Sequence, residues 1–234
     1  MNLELSQAVA VVLAGIPKPM APVAGRPFLE WVVRRLARQG VPKVLLSTGH
    51  LAEVVKQHFQ PQPVAGVLTR CFAETRPLGT GGGFLNAVRC SGEAPEAWLV
   101  LNGDSLVLAD LNVAAAELSN PGVGGVVIGC AMADASRYGT LAIGPAGELQ
   151  GFNEKHPGKG VINAGIYLLR DSLVGQFPGT LPLSFEQEVF PRFIARGLRL
   201  KVCTVEAPFL DIGTPESLRQ AESFVEQNRD RFCD

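Results

Sequence analysis

The sequence has almost no net charge: 21 lysines and arginines face 22 aspartates and glutamates, a formal charge of −1 over 234 residues. Such a balance leaves no global field to hold nucleic acid or an anionic membrane surface, so any polyanion site must be local. Charged residues are sparse as a class, at 18% against roughly 25% in an average globular chain. With 47% hydrophobic residues, the composition excludes an extended disordered chain and is long enough to bury a sizeable core. Cysteine is scarce and unpatterned. Cys71, Cys90, Cys130, Cys203 and Cys233 form an odd set with no CxxC pair, which argues against a disulfide framework or a zinc knuckle and points to a reducing compartment. Long apolar runs are missing too: Ala8 to Ala14 falls far short of the roughly 20 residues a membrane span needs, and no basic segment precedes it. A cytoplasmic protein with no membrane and no nucleic-acid partner is expected. Without a repeat, low-complexity tract or linker, one domain over 1–234 is expected, with functional halves at 1–110 and 111–234.

Glycine and proline are abundant instead, 26 and 17 residues, which suggests sites built from backbone. Ala8 to Leu13 is a continuous β-branched run ending at Ala14-Gly15, as in a strand buried on both faces of a parallel sheet. From Phe28 to Gln39, Phe28, Val32 and Leu36 recur at helical spacing, with Arg34, Arg35 and Arg38 elsewhere and Gly40 as a stop; the pattern predicts an amphipathic helix. Val44 to Thr48 and Ala97 to Leu101 read as strands, and Leu51 to Phe59 and the Gly79 to Cys90 segment as helical. Alternation of this kind predicts right-handed crossovers and a mostly parallel sheet. The second half differs: Val126 to Ala131, Thr140 to Ile143, Leu149 to Phe152, Ile162 to Leu169 and Leu200 to Val205 read as strands, with helices at Phe185 to Arg196 and Pro215 to Asn228. A mixed sheet is expected there.

Ligands of open parallel sheets bind beyond the carboxyl ends of the strands, so the residues after each strand carry the functional expectations. Gly15 leads into Ile16-Pro17-Lys18-Pro19; a lysine between prolines is preorganised for phosphate, or is a surface residue of a proline-rich turn. Glu74 to Gly83 (ETRPLGTGGG) opens a helix, and its glycines either let an anion or a nucleobase carbonyl approach backbone N–H groups or form a flexible helix start. Asp104 follows one apolar strand and Asp211 ends another. Each alone reads as a turn or cap residue; converging on one face, they would suit Mg²⁺ bridging nucleotide phosphates, which we favour. His50, His58 and His156 are scattered and read as surface or packing residues.

Taken together, VVLAG, PKPMAPVAGRP, ETRPLGTGGG, NGDS, RYG, NEK, INAGIYLL and FLDIGTPE, in this order over nearly the whole chain, resemble the sugar-1-phosphate nucleotidyltransferases. PKPMAPVAGRPFLEW, PLGTGG, SFEQE and the short length look most like the D-glycero-α-D-manno-heptose 1-phosphate guanylyltransferases among them. The resemblance implies an α/β fold, Rossmann-like and three-layered, with a mostly parallel central mixed sheet. It also implies transfer of a nucleotidyl group, GMP from GTP, to a sugar 1-phosphate, giving pyrophosphate and a nucleotide sugar for surface polysaccharide. Carried over by motif, Leu13, Ala14, Gly15, Lys18, Glu74, Pro77, Gly79, Thr80, Asn102 and Gly103 would bind the nucleotide in the first half. Tyr138, Gly139, Glu154, Lys155 and Asn163 would bind the sugar phosphate in the second. Asp104 and Asp211 would hold Mg²⁺ and, with Lys18 and Lys155, form the catalytic set. Ser184 to Glu188 is first a helix start with acidic residues at its N-terminus. One departure stands out: the family carries a glycine- and arginine-rich phosphate loop before the PKP segment, whereas Gly15 here is followed directly by Ile16-Pro17-Lys18. Transfer to mannose, glucose or another sugar 1-phosphate, or a silent nucleotide-sugar-binding subunit, are the alternatives. A dinucleotide dehydrogenase is disfavoured, since no GxGxxG follows the first strand. A homodimer is expected on symmetry grounds.

Overall fold

The computed structural model describes residues 3–15, 18–49, 52–60, 63–155 and 157–233. Ile16, Pro17, His50, Leu51 and His156, singled out above, lie outside them. The strands are β1 (Val9–Ala14), β2 (Pro22–Val23), β3 (Arg26–Pro27), β4 (Lys43–Thr48), β5 (Leu68–Ala73), β6 (Ala97–Asn102), β7 (Ser105–Val107), β8 (Val123–Met132), β9 (Thr140–Ile143), β10 (Leu149–Asn153), β11 (Gly160–Arg170), β12 (Arg199–Val205) and β13 (Phe209–Asp211). The helices are α1 (Phe28–Arg38), α2 (Ala52–Phe59), α3 (Thr80–Ser91), α4 (Asn112–Leu118), α5 (Phe190–Ala195) and α6 (Pro215–Gln227). None is long and apolar enough to cross a membrane among the described residues.

Nine strands form one sheet with the path β10-β9-β11-β6-β1-β4-β5, and β8 and β12 branch from β11. By their pairings, β1, β4, β5, β6, β8, β9 and β12 point one way and β10 and β11 the other. The expected mostly parallel, mixed sheet is therefore present. The β-branched run of β1 is buried on both faces: Ala10, Val12 and Ala14 belong to a core with α1, α2, α4 and α6, and Val9 and Val11 to a second core with α3 and α5. Helices on both faces of one sheet make three layers.

Parallel register aligns the carboxyl ends: Leu13 of β1 stands opposite Ser47 of β4 and Asn102 of β6, and Thr48 lies opposite Ala73 of β5. Beside them β11 is broken by a register shift between Asn163 and Tyr167. Gly165, at φ +68°, sits in that break, and a Cβ there would fall 2.5 Å from the Asn102 amide nitrogen. The irregularity thus leaves room for Asn102 at the sheet edge.

Helix α1 is amphipathic as expected, with Phe28, Val32 and Leu36 buried on one face, but its polar face is covered too: Arg34 and Arg35 are only 8% and 5% exposed. They donate to backbone carbonyls of Cys233, Arg231 and Ala109, and burial pushes Arg35 down to about 10. The C-terminal segment covers this part of the polar face. One expectation needs correction: the Phe185 to Arg196 helix is divided, into a π-helical turn at Phe185–Val189 followed by α5. Pro191, which has no N–H to continue an α-helical ladder, falls just after the change.

Candidate active site

A cleft of ≈ 590 Å³ opens at the carboxyl ends of β1, β4, β5 and β6. Eight of the singled-out residues line it: Leu13, Gly15, Glu74, Pro77, Gly79, Thr80, Asn102 and Asp104. Ala14 is buried at the end of β1, and Gly103 is buried with its N–H donating to the Leu13 carbonyl at 2.9 Å. Glu74 is held in place, its Oε1 accepting from the Ser47 hydroxyl and its Oε2 from the Leu78 N–H, both at 3.1 Å. Ser47, fully buried beside Glu74, carries no signal in the sequence pattern.

Of the two readings of the glycine-rich segment, an anion site or a flexible helix start, neither describes Gly81 and Gly82. The Leu183 carbonyl already accepts from the N–H groups of Gly81 at 2.8 Å and Gly82 at 3.2 Å, and Gly83 donates to the Gly79 carbonyl. Two N–H groups at the start of α3 are therefore capped by a distant stretch of backbone. The glycines serve that contact. Gly79 has φ +76°, and a Cβ on it would lie 2.5 Å from the Leu183 carbonyl oxygen.

Asp104 and Asp211 are brought together by a short antiparallel pair. In the β7–β13 register Ser105 faces Asp211, the Ile212 N–H donates to the Asp104 carbonyl at 2.9 Å, and the Ser105 hydroxyl lies 3.4 Å from Asp104 Oδ1 and 3.3 Å from Asp211 Oδ2. Burial, then the Asp211 charge, pushes the Asp104 carboxyl above its ordinary range, against hydrogen bonds and the Lys18 charge. Lys18 reaches the same corner, donating its ammonium to the Gly213 carbonyl. No cluster of three or more His, Cys, Asp or Glu side chains gathers among the described residues, so the carboxylate pair is the candidate cation site. Its donors fit a hard divalent ion: carboxylate and hydroxyl oxygens only, with like charges crowded together.

The second-half residues form a neighbouring group. Asn163 donates its N–H to the Gly139 carbonyl at 3.3 Å, and the Asn153 carbonyl oxygen lies 3.3 Å from where a Cβ on Gly139 would sit. Glu154 and Lys155, both exposed, follow Asn153 directly. Tyr138 packs edge-on against Phe209 at 5.4 Å, two residues before Asp211. The Asn163 side chain is engaged within the fold: its amide donates to Tyr167 Oη at 2.9 Å and Glu186 Oε1 at 3.4 Å, and its oxygen accepts from the Gly165 N–H. Tyr167 in turn donates to Glu186 at 2.7 Å. Ser105, Tyr167 and Arg137 were passed over in the sequence; for Arg137 the RYG motif was the available signal.

With this geometry in view, the nucleotidyl transferase family model matches residues 13–228. The chain belongs to the nucleotidyl transferase family. It is 32% identical over 206 residues to D-glycero-α-D-manno-heptose 1-phosphate guanylyltransferase of Campylobacter jejuni, covering 88% of this chain and 89% of that one. The enzyme of the same name from Aneurinibacillus thermoaerophilus is 30% identical over 220 residues, covering 93% of each. Among solved structures, HddC from Yersinia pseudotuberculosis complexed with GMP-PN superposes with a TM-score of 0.82 at 29% identity, over 92% of this chain and 98% of that one. As a member of this family the chain is an α/β nucleotidyltransferase.

Proposed function

We propose that this nucleotidyltransferase moves GMP from GTP to D-glycero-α-D-manno-heptose 1-phosphate, releasing pyrophosphate and a nucleotide sugar for surface polysaccharide. The observation that carries the reading is the Asp104–Ser105–Asp211 arrangement at the mouth of the strand-end cleft, with the Lys18 ammonium docked beside it. The names of the relatives at 30–32% identity support guanine and heptose.

In this reading the nucleotide lies in the cleft along Leu13, Gly15, Glu74, Pro77, Gly79, Thr80 and Asn102, with Ala14 and Gly103 forming its floor. Glu74, fixed by Ser47 and the Leu78 N–H, offers a preset acceptor rather than one that must be ordered on binding. The sugar phosphate is held by Tyr138, Gly139, Glu154, Lys155 and Asn163. A sugar-phosphate oxygen then attacks the α-phosphorus in line; the new P–O bond forms as the bond to the bridging oxygen of pyrophosphate breaks, and no protein nucleophile is needed. Bringing two polyanions together is most of the task. Lys18 and Lys155 place positive charge against phosphate oxygens as negative charge spreads over them. Asp104 and Asp211 would hold Mg²⁺, which when bound supplies further positive charge to the phosphates. The reading places the chain in the cytoplasm, where triphosphates are available, and as a homodimer.

The test crosses GTP, ATP, CTP and UTP with heptose, mannose and glucose 1-phosphates and measures pyrophosphate release with Mg²⁺. Highest kcat/KM for GTP with the heptose supports the proposal. Tight nucleotide-sugar binding without turnover would assign the chain to the silent binding class, and preference for another pair would correct the substrate.

A further inference from the structure

We infer that Arg137 is a phosphate-binding residue of the sugar 1-phosphate site; this rests on the functional reading just given. Arg137 lies on the loop before β9, next to Tyr138, and its guanidinium stands 3.4 Å from the hydroxyl of Thr214, three residues after Asp211. It stands 5.6 Å over the Tyr138 ring, and that ring packs edge-on against Phe209 at 5.4 Å. Tyr138 also feels the charge of both Arg137 and Asp211. The guanidinium therefore sits on a supported aromatic face at the rim of the Asp104–Asp211 pair.

Its partners matter as much as its place. The buried Arg34, by contrast, faces a carboxylate, Glu30 at 2.8 Å. Among the described residues Arg137 forms no ion pair, and its polar contact is a neutral hydroxyl. Lys18 is held the same way, by the Gly213 carbonyl. Two cations from different segments thus dock on consecutive residues, Gly213 and Thr214, just after Asp211, and both are held by neutral oxygens. A neutral partner orients a cation without neutralising it, so the charge stays available to an anion. A guanidinium on the Tyr138-Gly139 side matches the incoming phosphate monoester, for which its planar fork allows two parallel hydrogen bonds.

The experiment compares wild type, Arg137→Lys and Arg137→Ala with Mg²⁺ present. Steady-state pyrophosphate release gives KM for heptose 1-phosphate at saturating GTP, and KM for GTP at saturating heptose 1-phosphate. Calorimetric titration with heptose 1-phosphate alone reads affinity without turnover. Loss of one charge-assisted contact predicts an increase of roughly tenfold or more in the heptose 1-phosphate KM for the alanine variant. The GTP KM stays unchanged, calorimetric affinity falls in parallel, and lysine restores part of the loss. Added KCl raises the wild-type constant more steeply than that of the alanine variant. Equal heptose 1-phosphate affinity in wild type and Arg137→Ala overturns the assignment, as does a rise confined to the GTP KM, or a fall in Tm with both constants shifting together. A wild type that binds heptose 1-phosphate but releases no pyrophosphate overturns the functional reading instead, and the calorimetric comparison still decides Arg137.

Discussion

Replacing Gly79 by alanine tests whether the glycine-rich segment shapes the nucleotide cleft through its contact with Leu183. Gly79 has φ +76° and ψ 170°, a region that an L side chain adopts at about 1–3 kcal/mol. The added Cβ would lie 2.5 Å from the Leu183 carbonyl oxygen and 2.9 Å from its carbon and nitrogen, so the Leu183 backbone must move. Movement weakens the hydrogen bonds from the Gly81 and Gly82 N–H groups to that carbonyl, worth about 1 kcal/mol each. The sum is roughly 3–5 kcal/mol. At about 2–4 °C per kcal/mol for a chain of this size, Tm falls by roughly 6–20 °C. The wall formed by Pro77, Leu78, Gly79 and Thr80 shifts with it, so KM for GTP rises in the fraction that stays folded. Thermal unfolding and steady-state kinetics read both effects. A variant that melts with wild type and keeps its GTP KM would refute the claim that this contact builds the cleft.

Two further outcomes are expected. Lys18→Ala removes a cation at the carboxylate corner and lowers kcat/KM by roughly tenfold to a hundredfold; an unchanged value in the pyrophosphate assay removes Lys18 from the mechanism. Glu30 is 4% exposed and accepts from Arg26, Arg34 and His58 at 2.7–2.8 Å, so Glu30→Ala strands the buried Arg34 and costs roughly 3–5 kcal/mol in urea unfolding. Burial alone would raise the Glu30 carboxyl, but hydrogen bonds from His58, Arg34 and Arg26 hold it below its ordinary 4.5. Its contribution is therefore present above that value and lost as pH falls through the lower native one. The gap in urea midpoint between wild type and Glu30→Ala should shrink on acidification, and a constant gap would contradict the assignment.

The strands were legible where apolar runs were long. Ala8 to Leu13 and Ala97 to Leu101 each appear within a residue of their place in the sheet, because burial on both faces leaves a continuous run in the sequence. Helix α1 was legible as a helix but not in its surroundings, since the carbonyls that receive Arg34 and Arg35 come from Ala109 and the far C-terminal segment. The ETRPLGTGGG segment reads equally as an anion site or a flexible helix start, because nothing local reveals that Leu183 caps it. Asp104 and Asp211 could be singled out individually as acids at apolar strand ends. Their convergence depends on β7 and β13, strands of three residues that carry too little pattern to read. Ser47, Ser105 and Arg137 were missed for the same reason: each gains its place from a partner distant in sequence.

In the proposed function, the Asp104–Asp211 corner holds the Mg²⁺ that supports nucleotidyl transfer. Titrating Mg²⁺ into EDTA-treated wild type, Asp104→Asn and Asp211→Asn, with pyrophosphate release from GTP and heptose 1-phosphate as the readout, tests it most directly. Wild type is expected to show no turnover without added metal and saturable recovery with Mg²⁺, and either variant little or no recovery. Either asparagine variant responding to Mg²⁺ with the wild-type midpoint and rate would contradict it.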